Sequence, residues 1–295
     1  MFYKQTKLRK WIKFSFQECL SSYPNAIELI KNNINKIDWV FLSLNSECIY
    51  LIEKNLDKIY WPYLSLNPNA IEILKNNQDK IDWNYLSCNE NALELLKANP
   101  DKINWSHLSK NKNNIHFLEA NQNKIDWQML SSNPNAIHLL EANPDKIDWQ
   151  MLSLNPNAIH LLKANIDKIY WPYLSKNPNA IHLLKANLKK INWDYLSINP
   201  NAIEILRENP NKINWDILMA NQGVIDFIEE NEEKIIWSSL LNNPSIFTYD
   251  YELIKENFKN LGEEIIHKAL HPKRMLRLME IYGEDEIYKY YFDEE

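Results

Sequence analysis

Residues 124–145 read KIDWQMLSSNPNAIHLLEANPD and residues 146–167 read KIDWQMLSLNPNAIHLLKANID. These adjoining 22-residue segments differ only at Ser132/Leu154, Glu141/Lys163 and Pro144/Ile166. Working outward from the pair, the same pattern returns around Trp39, Trp61, Trp83, Trp105, Trp127, Trp149, Trp171, Trp193, Trp215 and Trp237, always 22 residues apart. Self-similarity at a fixed period in this range marks a unit that cannot bury its own apolar face and so stacks on its neighbours. The 295-residue chain therefore reads as one repeat array rather than the two ordinary domains its length would suggest.

With the Trp as position 0, each repeat reads as two short helices. In Lys80–Asp101, Asp82 precedes Trp83 and is suited to cap a first helix. Trp83 and Leu86 then share one face. An Asn-Pro pair at +6 and +7, as in Asn133-Pro134, opens the second helix, where Ile137, Leu139 and Leu140 form an apolar stripe behind Ala136. Each second helix ends at an Asn at +16 (Asn55, then every 22nd residue to Asn231), expected to adopt the left-handed conformation in a chain with three glycines. A leucine-rich repeat is rejected, because the residues around the inward Leu do not alternate and Asn-Pro-Asn-Ala opens a helix. The ten tryptophans are assigned to the core seam with Ile at −2 and Leu at +3. Burial of one Trp removes about 150–250 Å² from water, a gross upper bound of about 4–6 kcal/mol. The fold class expected is all-α: an elongated solenoid of ten to eleven two-helix repeats with altered terminal caps.

The boundaries expected are a capping segment at 1–16, repeats over 17–245 and a helical cap at 246–295. The stretch Phe2 to Phe16 is taken as a basic, aromatic capping helix. Ser21 to Asn33 reads as a degenerate leading repeat with Gln17 at the Trp place. The last residues, Ile287 to Glu295, are expected to fray. His271-Pro272 is taken as a helix start, and His267 with His271 lacks a zinc signature.

Two charged columns run along the array. Lys at −3 never varies and is read as solvated or paired with the Asp often beside it, rather than as a track for a polyanion. His116, His138, His160 and His182 share the +11 column with Glu72, Glu94 and Glu204; side chains one repeat apart converge poorly on a metal. Net charge of −6 disfavours nucleic acid and anionic lipid as partners. Cys19, Cys48 and Cys88 make neither a disulfide framework nor a metal set, which fits an intracellular, non-secreted protein. No run of 18 apolar residues is present, so no membrane span is expected, and no cofactor is implied.

The units 124–145 and 146–167, with the ending YDYELIK followed by EEIIHKALHPKRMLRLMEIYG, resemble the tandem repeats of giant-virus proteins of the mimivirus type, over roughly Ser21 to Gly283. That resemblance implies a viral repeat protein, located in the host cytoplasm or the virion, and carries no catalytic residues. Glu90 and Lys112 depart from the Pro at +7, and Met219 and Leu241 from the Ser at +4, which leaves those helix starts open.

The function expected is a non-enzymatic scaffold or adaptor for protein–protein interaction. The alternatives are a self-associating virion or factory component and a repeat-based nucleic-acid binder. The candidate partner-binding face is the +2 column: Phe41, Tyr63, Tyr85, His107, Met129, Met151, Tyr173 and Tyr195. The +5 column shares that face. Against this stands the reading in which the face packs as secondary core; exposed tyrosine rings favour binding.

Overall fold

In the computed structural model, which describes residues 6–12, 18–256 and 270–283, the 22-residue segments fold into pairs of short helices, giving an all-α repeat solenoid. The unit around Trp83 is representative. Asp82 accepts hydrogen bonds from the Asn84 and Tyr85 amides and starts a first helix, Trp83–Cys88. The second helix is Leu93–Lys97, and a 3-10 turn, Pro100–Lys102, leads to the next unit. Each helix is too short to stand alone in water, so its stability comes from packing. Leu at +3 (Leu86, Leu108, Leu130) and the residue at +13 (Leu96, Leu118, Leu140) are fully buried between the two helix layers. Nine of the ten repeat tryptophans, Trp39 to Trp215, lie partly buried against this core, and Trp237 is 39% exposed. The seam is therefore mainly aliphatic, with the indoles along its edge.

What joins one unit to the next is largely polar. Asn at +6, expected only to cap, is itself buried: Asn89 donates through Nδ2 to the Ser65 and Asn67 carbonyls of the preceding unit, both at 2.9 Å, while its Oδ1 accepts from the Asn91 amide. The same three bonds recur at Asn133, Asn155, Asn177 and Asn199. Ser at +4 adds a second thread. Ser87 Oγ donates to the Trp83 carbonyl at 2.7 Å and accepts from the Asn104 amide of the following unit at 3.0 Å. These buried polar side chains are placed to satisfy backbone groups that helices of four to six residues leave without intrahelical partners.

The Asn at +16 corrects the sequence reading. Asn77 and Asn99 have φ of −137° and −135°, and no non-glycine among the described residues has positive φ. The side chain ends the helix instead, donating to the carbonyl four residues back, as Asn77 does to Ile73 at 2.8 Å. Loss of Pro at +7 leaves the second helix in register: it begins at Leu93 after Glu90 and at Ile115 after Lys112, because the Asn at +6 still turns the chain.

Residues Lys7–Thr248 form one compact unit, and Met1–Thr6 with Tyr249–Glu295 a second. Within the first, adjacent first helices pack more closely than adjacent second helices, so the array curves with its first helices inside. The curvature brings its two ends together, correcting the expected elongated form. Tyr23 stands at +6 of the leading repeat, the place of the ladder Asn. Its hydroxyl donates at 2.8 Å to the carbonyl of Leu241, which is at +4 of the Trp237 unit. That is the bond each ladder Asn makes to the unit before it, so the leading unit follows the tenth as any unit follows its predecessor. The Tyr23 ring meets Phe247 edge-on at 6.4 Å.

Where the tenth unit would place its second helix, the chain instead forms strand β2 (Phe247–Tyr249), paired with β1 (Thr6–Leu8). The Thr6–Leu8 strand thus lies within the stretch expected to be a capping helix. Aromatic and β-branched residues in Phe247-Thr248-Tyr249 suit a strand. Arg9 continues the joint: its amide donates to the Ile246 carbonyl, its Nε to the Ser245 carbonyl and its Nη1 to Asp226 at 2.8 Å. Trp11 packs on Trp237 at 6.4 Å. Toward the C-terminus, residues 251–256 are helical and a helix spans Pro272–Tyr282. Gln17, His267 and Ile287 to Glu295 lie outside the described residues.

Candidate functional site: the first-helix face

The first helices turn Trp at 0 and Leu at +3 toward the core, so positions +1, +2 and +5 face the other way. At +2, Phe41, Tyr85 and Tyr195 are 38%, 39% and 40% exposed, His107 is exposed, and Tyr63, Met129, Met151 and Tyr173 are half-buried. The face is neither closed core nor free of contact, because its rings touch one another across units. Tyr60 at −1 meets Tyr63 edge-to-face at 5.1 Å, and Tyr63 meets Tyr85 at 6.1 Å. The second KIYWPYLS segment repeats the arrangement: Tyr170 to Tyr173 at 5.0 Å and Tyr173 to Tyr195 at 6.1 Å. The two triads lie five units apart. Tyr60 and Tyr170, which the +2 column does not include, are each more than 40% exposed; their signal in the sequence is replacement of the capping Asp or Asn by Tyr in those two units.

The Lys column has a partner that the sequence reading missed. Lys80 Nζ lies 4.8 Å from the centre of the Trp61 ring, and Lys102, Lys146, Lys168, Lys190, Lys212 and Lys234 each cover the Trp of the preceding unit at 4.4 to 4.7 Å. A cation over an exposed indole face contributes roughly 0.5–1 kcal/mol. The column therefore joins units from outside the core. A phenylalanine also stacks on the indole in two units, Phe117 on Trp105 and Phe227 on Trp215, each at 5.7 Å.

The His column pairs with acids on the outer layer. His116 Nδ1 and His138 Nε2 lie 2.9 and 2.7 Å from the Glu119 carboxylate, and His160 Nε2 lies 2.8 Å from Glu141. Hydrogen bonds from His116 and His138 hold the Glu119 carboxyl below its ordinary range. Among the described residues no cluster of His, Cys, Asp or Glu could hold a metal ion.

A cleft of about 310 Å³ opens across three units, lined by Cys88, Glu90, His107, Lys110, Asn111, Lys112, Ser132 and Pro134. Of the +2 residues only His107 borders it, with its ring Nδ1 2.9 Å from the Asn84 carbonyl. The cleft is lined by two residues that replace the Pro at +7, Lys112 and Glu90, which form an ion pair at 2.9 Å. Burial pushes the Cys88 thiol up, so the cleft presents no activated nucleophile.

Comparison of the chain with protein-family models, curated proteins and solved structures yields no match. Among the described residues no helix is long and apolar enough to cross a membrane.

Proposed function

We propose that this protein is a non-enzymatic scaffold that binds another protein on its first-helix face. The observation carrying this reading is the half-exposed tyrosine surface on the inner side of the array, with Tyr60, Tyr85, Tyr170 and Tyr195 each about 40% exposed. Aromatic residues that are neither buried nor isolated are characteristic of protein interfaces, where a large rigid side chain gains contact area at low entropic cost. Closure of the array supports the same reading, because it holds successive first helices in fixed register and so presents a preorganised surface. Together with the resemblance to giant-virus repeats, this makes the protein an adaptor or assembly component of an infected cell or virion.

The test is affinity purification with mass spectrometry from infected cells, using the natural chain and a Tyr63→Ala/Tyr85→Ala/Tyr173→Ala/Tyr195→Ala variant whose fold is first checked by circular dichroism. A stoichiometric protein retained by the natural chain and lost by the folded variant is the expected result. Recovery of the same proteins by both would remove the first-helix face from the reading.

A further inference from the structure

The charge on the first-helix face differs from that of the rest of the array. Across the ten Trp-bearing units, positions −1, +1, +2 and +5 hold six aspartates, Asp38, Asp82, Asp126, Asp148, Asp194 and Asp216, against two lysines, Lys110 and Lys176, the latter on the helix that carries Tyr173. The invariant lysines lie elsewhere, at −3, and eight of them, Lys80 and Lys102 included, place their ammonium groups over indoles. Each tyrosine triad has an Asp close by in sequence and register. Asp82 caps the helix that carries Tyr85, and Asp194 precedes Tyr195. Asp194 is exposed, and its Oδ1 accepts from Asn214 Nδ2 at 2.7 Å.

Tyrosine faces attract cations through the ring quadrupole, and a neighbouring carboxylate adds charge complementarity and steering. Guanidinium groups suit such a surface best, since they stack on the ring and pair with the carboxylate at once. A polyanion would meet three aspartates for each lysine, and an uncharged apolar partner would leave the aspartates desolvated and unpaired. Resting on the scaffold reading above, we propose that the occupant of this face is an arginine-rich, extended polypeptide segment, whose cations stack on the Tyr60/Tyr63/Tyr85 and Tyr170/Tyr173/Tyr195 triads. At about 8–10 Å per unit the triads stand at most roughly 40–50 Å apart along the curved face, and closer across the circuit that the array closes. An extended chain of about 12–15 residues covers that distance, so one segment with a basic cluster at each end engages both triads.

The repeats supply substitutions they already tolerate. Met is the +2 residue at Met129 and Met151, Asn is the capping residue at Asn104, Asn192 and Asn214, and Asn stands at +1, the place of Asp194, as Asn84. Tyr63→Met/Tyr173→Met and Asp82→Asn/Asp194→Asn therefore alter the face with residues native to the same positions in other units. The probe is a fluorescein-labelled 20-residue peptide of alternating Arg and Ser, measured by fluorescence anisotropy beside a Glu/Ser peptide and a 20-nucleotide oligothymidine. Glu72→Gln/Glu204→Gln, on the outer helices, makes the same charge change away from the face.

The expected result is binding of the Arg/Ser peptide alone, weakened by salt, by about 5- to 20-fold in the tyrosine variant and by a similar factor in the Asp variant, and little changed by the outer pair. Equal loss in the outer pair would reduce the interaction to net charge and overturn the proposal, as would tighter binding of the Glu/Ser peptide or the oligonucleotide. If the Arg/Ser peptide fails to bind while purification from cells still recovers a tyrosine-dependent protein, the basic occupant is refuted and the scaffold reading stands. Failure of both refutes both.

Discussion

Replacing Asn155 by Asp tests whether the buried asparagine ladder holds the units together. Asn155 is fully buried; its Nδ2 donates to the Ser131 carbonyl at 3.1 Å and the Asn133 carbonyl at 2.8 Å, and its Oδ1 accepts from the Asn157 amide at 3.0 Å. Asp has nearly the same shape and keeps the last bond, but an ionised carboxylate has no proton to donate. The Ser131 carbonyl then loses its donor, the Asn133 carbonyl keeps only the Ala136 amide at 3.2 Å, and both face a negative charge. At about 1–3 kcal/mol for the orphaned Ser131 carbonyl and about 0.5–1.5 kcal/mol for the second bond lost at Asn133, the expected loss is about 1.5–4.5 kcal/mol near neutral pH, before any penalty for burying the charge. Protonation restores one donor. Desolvation and the facing carbonyls raise the folded-state pKa of the new carboxyl above its unfolded value, so the deficit is full above the folded pKa and shrinks as pH falls through it. Urea unfolding at pH 7.5 and pH 5 reads both effects, provided the slope with denaturant is unchanged. Asn157→Asp is the control: Asn157 is exposed and makes its own bond to the preceding unit, from Nδ2 to the Pro134 carbonyl at 2.9 Å, so its loss is expected to cost at most about 1 kcal/mol. An Asn155→Asp penalty no larger than that of Asn157→Asp, or one that grows on acidification, would refute the argument.

Three further outcomes follow. Tyr23→Phe removes the hydroxyl that reaches Leu241 and is expected to cost about 0.5–1.5 kcal/mol, with amide hydrogen exchange accelerating in the leading and tenth units ahead of the central ones; unchanged exchange at both ends would remove Tyr23 from the closure. In a Cys19→Ser background, Cys48, fully buried with its thiol pushed up to about 12, is expected to resist a thiol reagent at pH 8 until urea unfolds the chain, whereas half-exposed Cys88 reacts in the native state. The Glu119 carboxyl is lowered, so its contribution is present above the unfolded carboxylate range and is lost as pH falls through the folded pKa. Glu119→Gln is therefore expected to lose less stability than the natural chain between about pH 4.5 and pH 3, and parallel acid titrations of the two would contradict this.

The period, the two-helix unit and the caps were legible in the residues, because each depends on contacts within one repeat. Asp82 before Trp83 and the Leu86 spacing specify the first helix without reference to anything else. The contacts between repeats were harder to read. Asn at +6 serves as a local cap in any helical protein, and nothing local to it reveals that its amide is buried against the preceding unit. Lys at −3 sits beside an Asp in sequence but over an indole in space, since its neighbour across the joint is the Trp of the unit before. Closure had a visible sign that periodicity alone did not interpret: SSYPNAIE places Tyr23 where the other units have Asn. A longer side chain at that one place is what reaches the tenth unit. The +2 face was legible as a face. Its grouping into two triads depended on Tyr60 and Tyr170, which lie outside the column by which it was recognised.

The closed joint between the leading and tenth units also bears on how such a chain can grow. Segments 124–145 and 146–167, identical at all but three places, have the character of a recent duplication, and an open array accepts another copy simply by becoming longer. A closed one does not. Each added copy moves the Leu241 carbonyl away from Tyr23 unless every other joint yields a little of its bend, and the loss of a copy demands the opposite. The number of repeats is therefore constrained by geometry, through the whole circuit and not through the sequence of any one repeat.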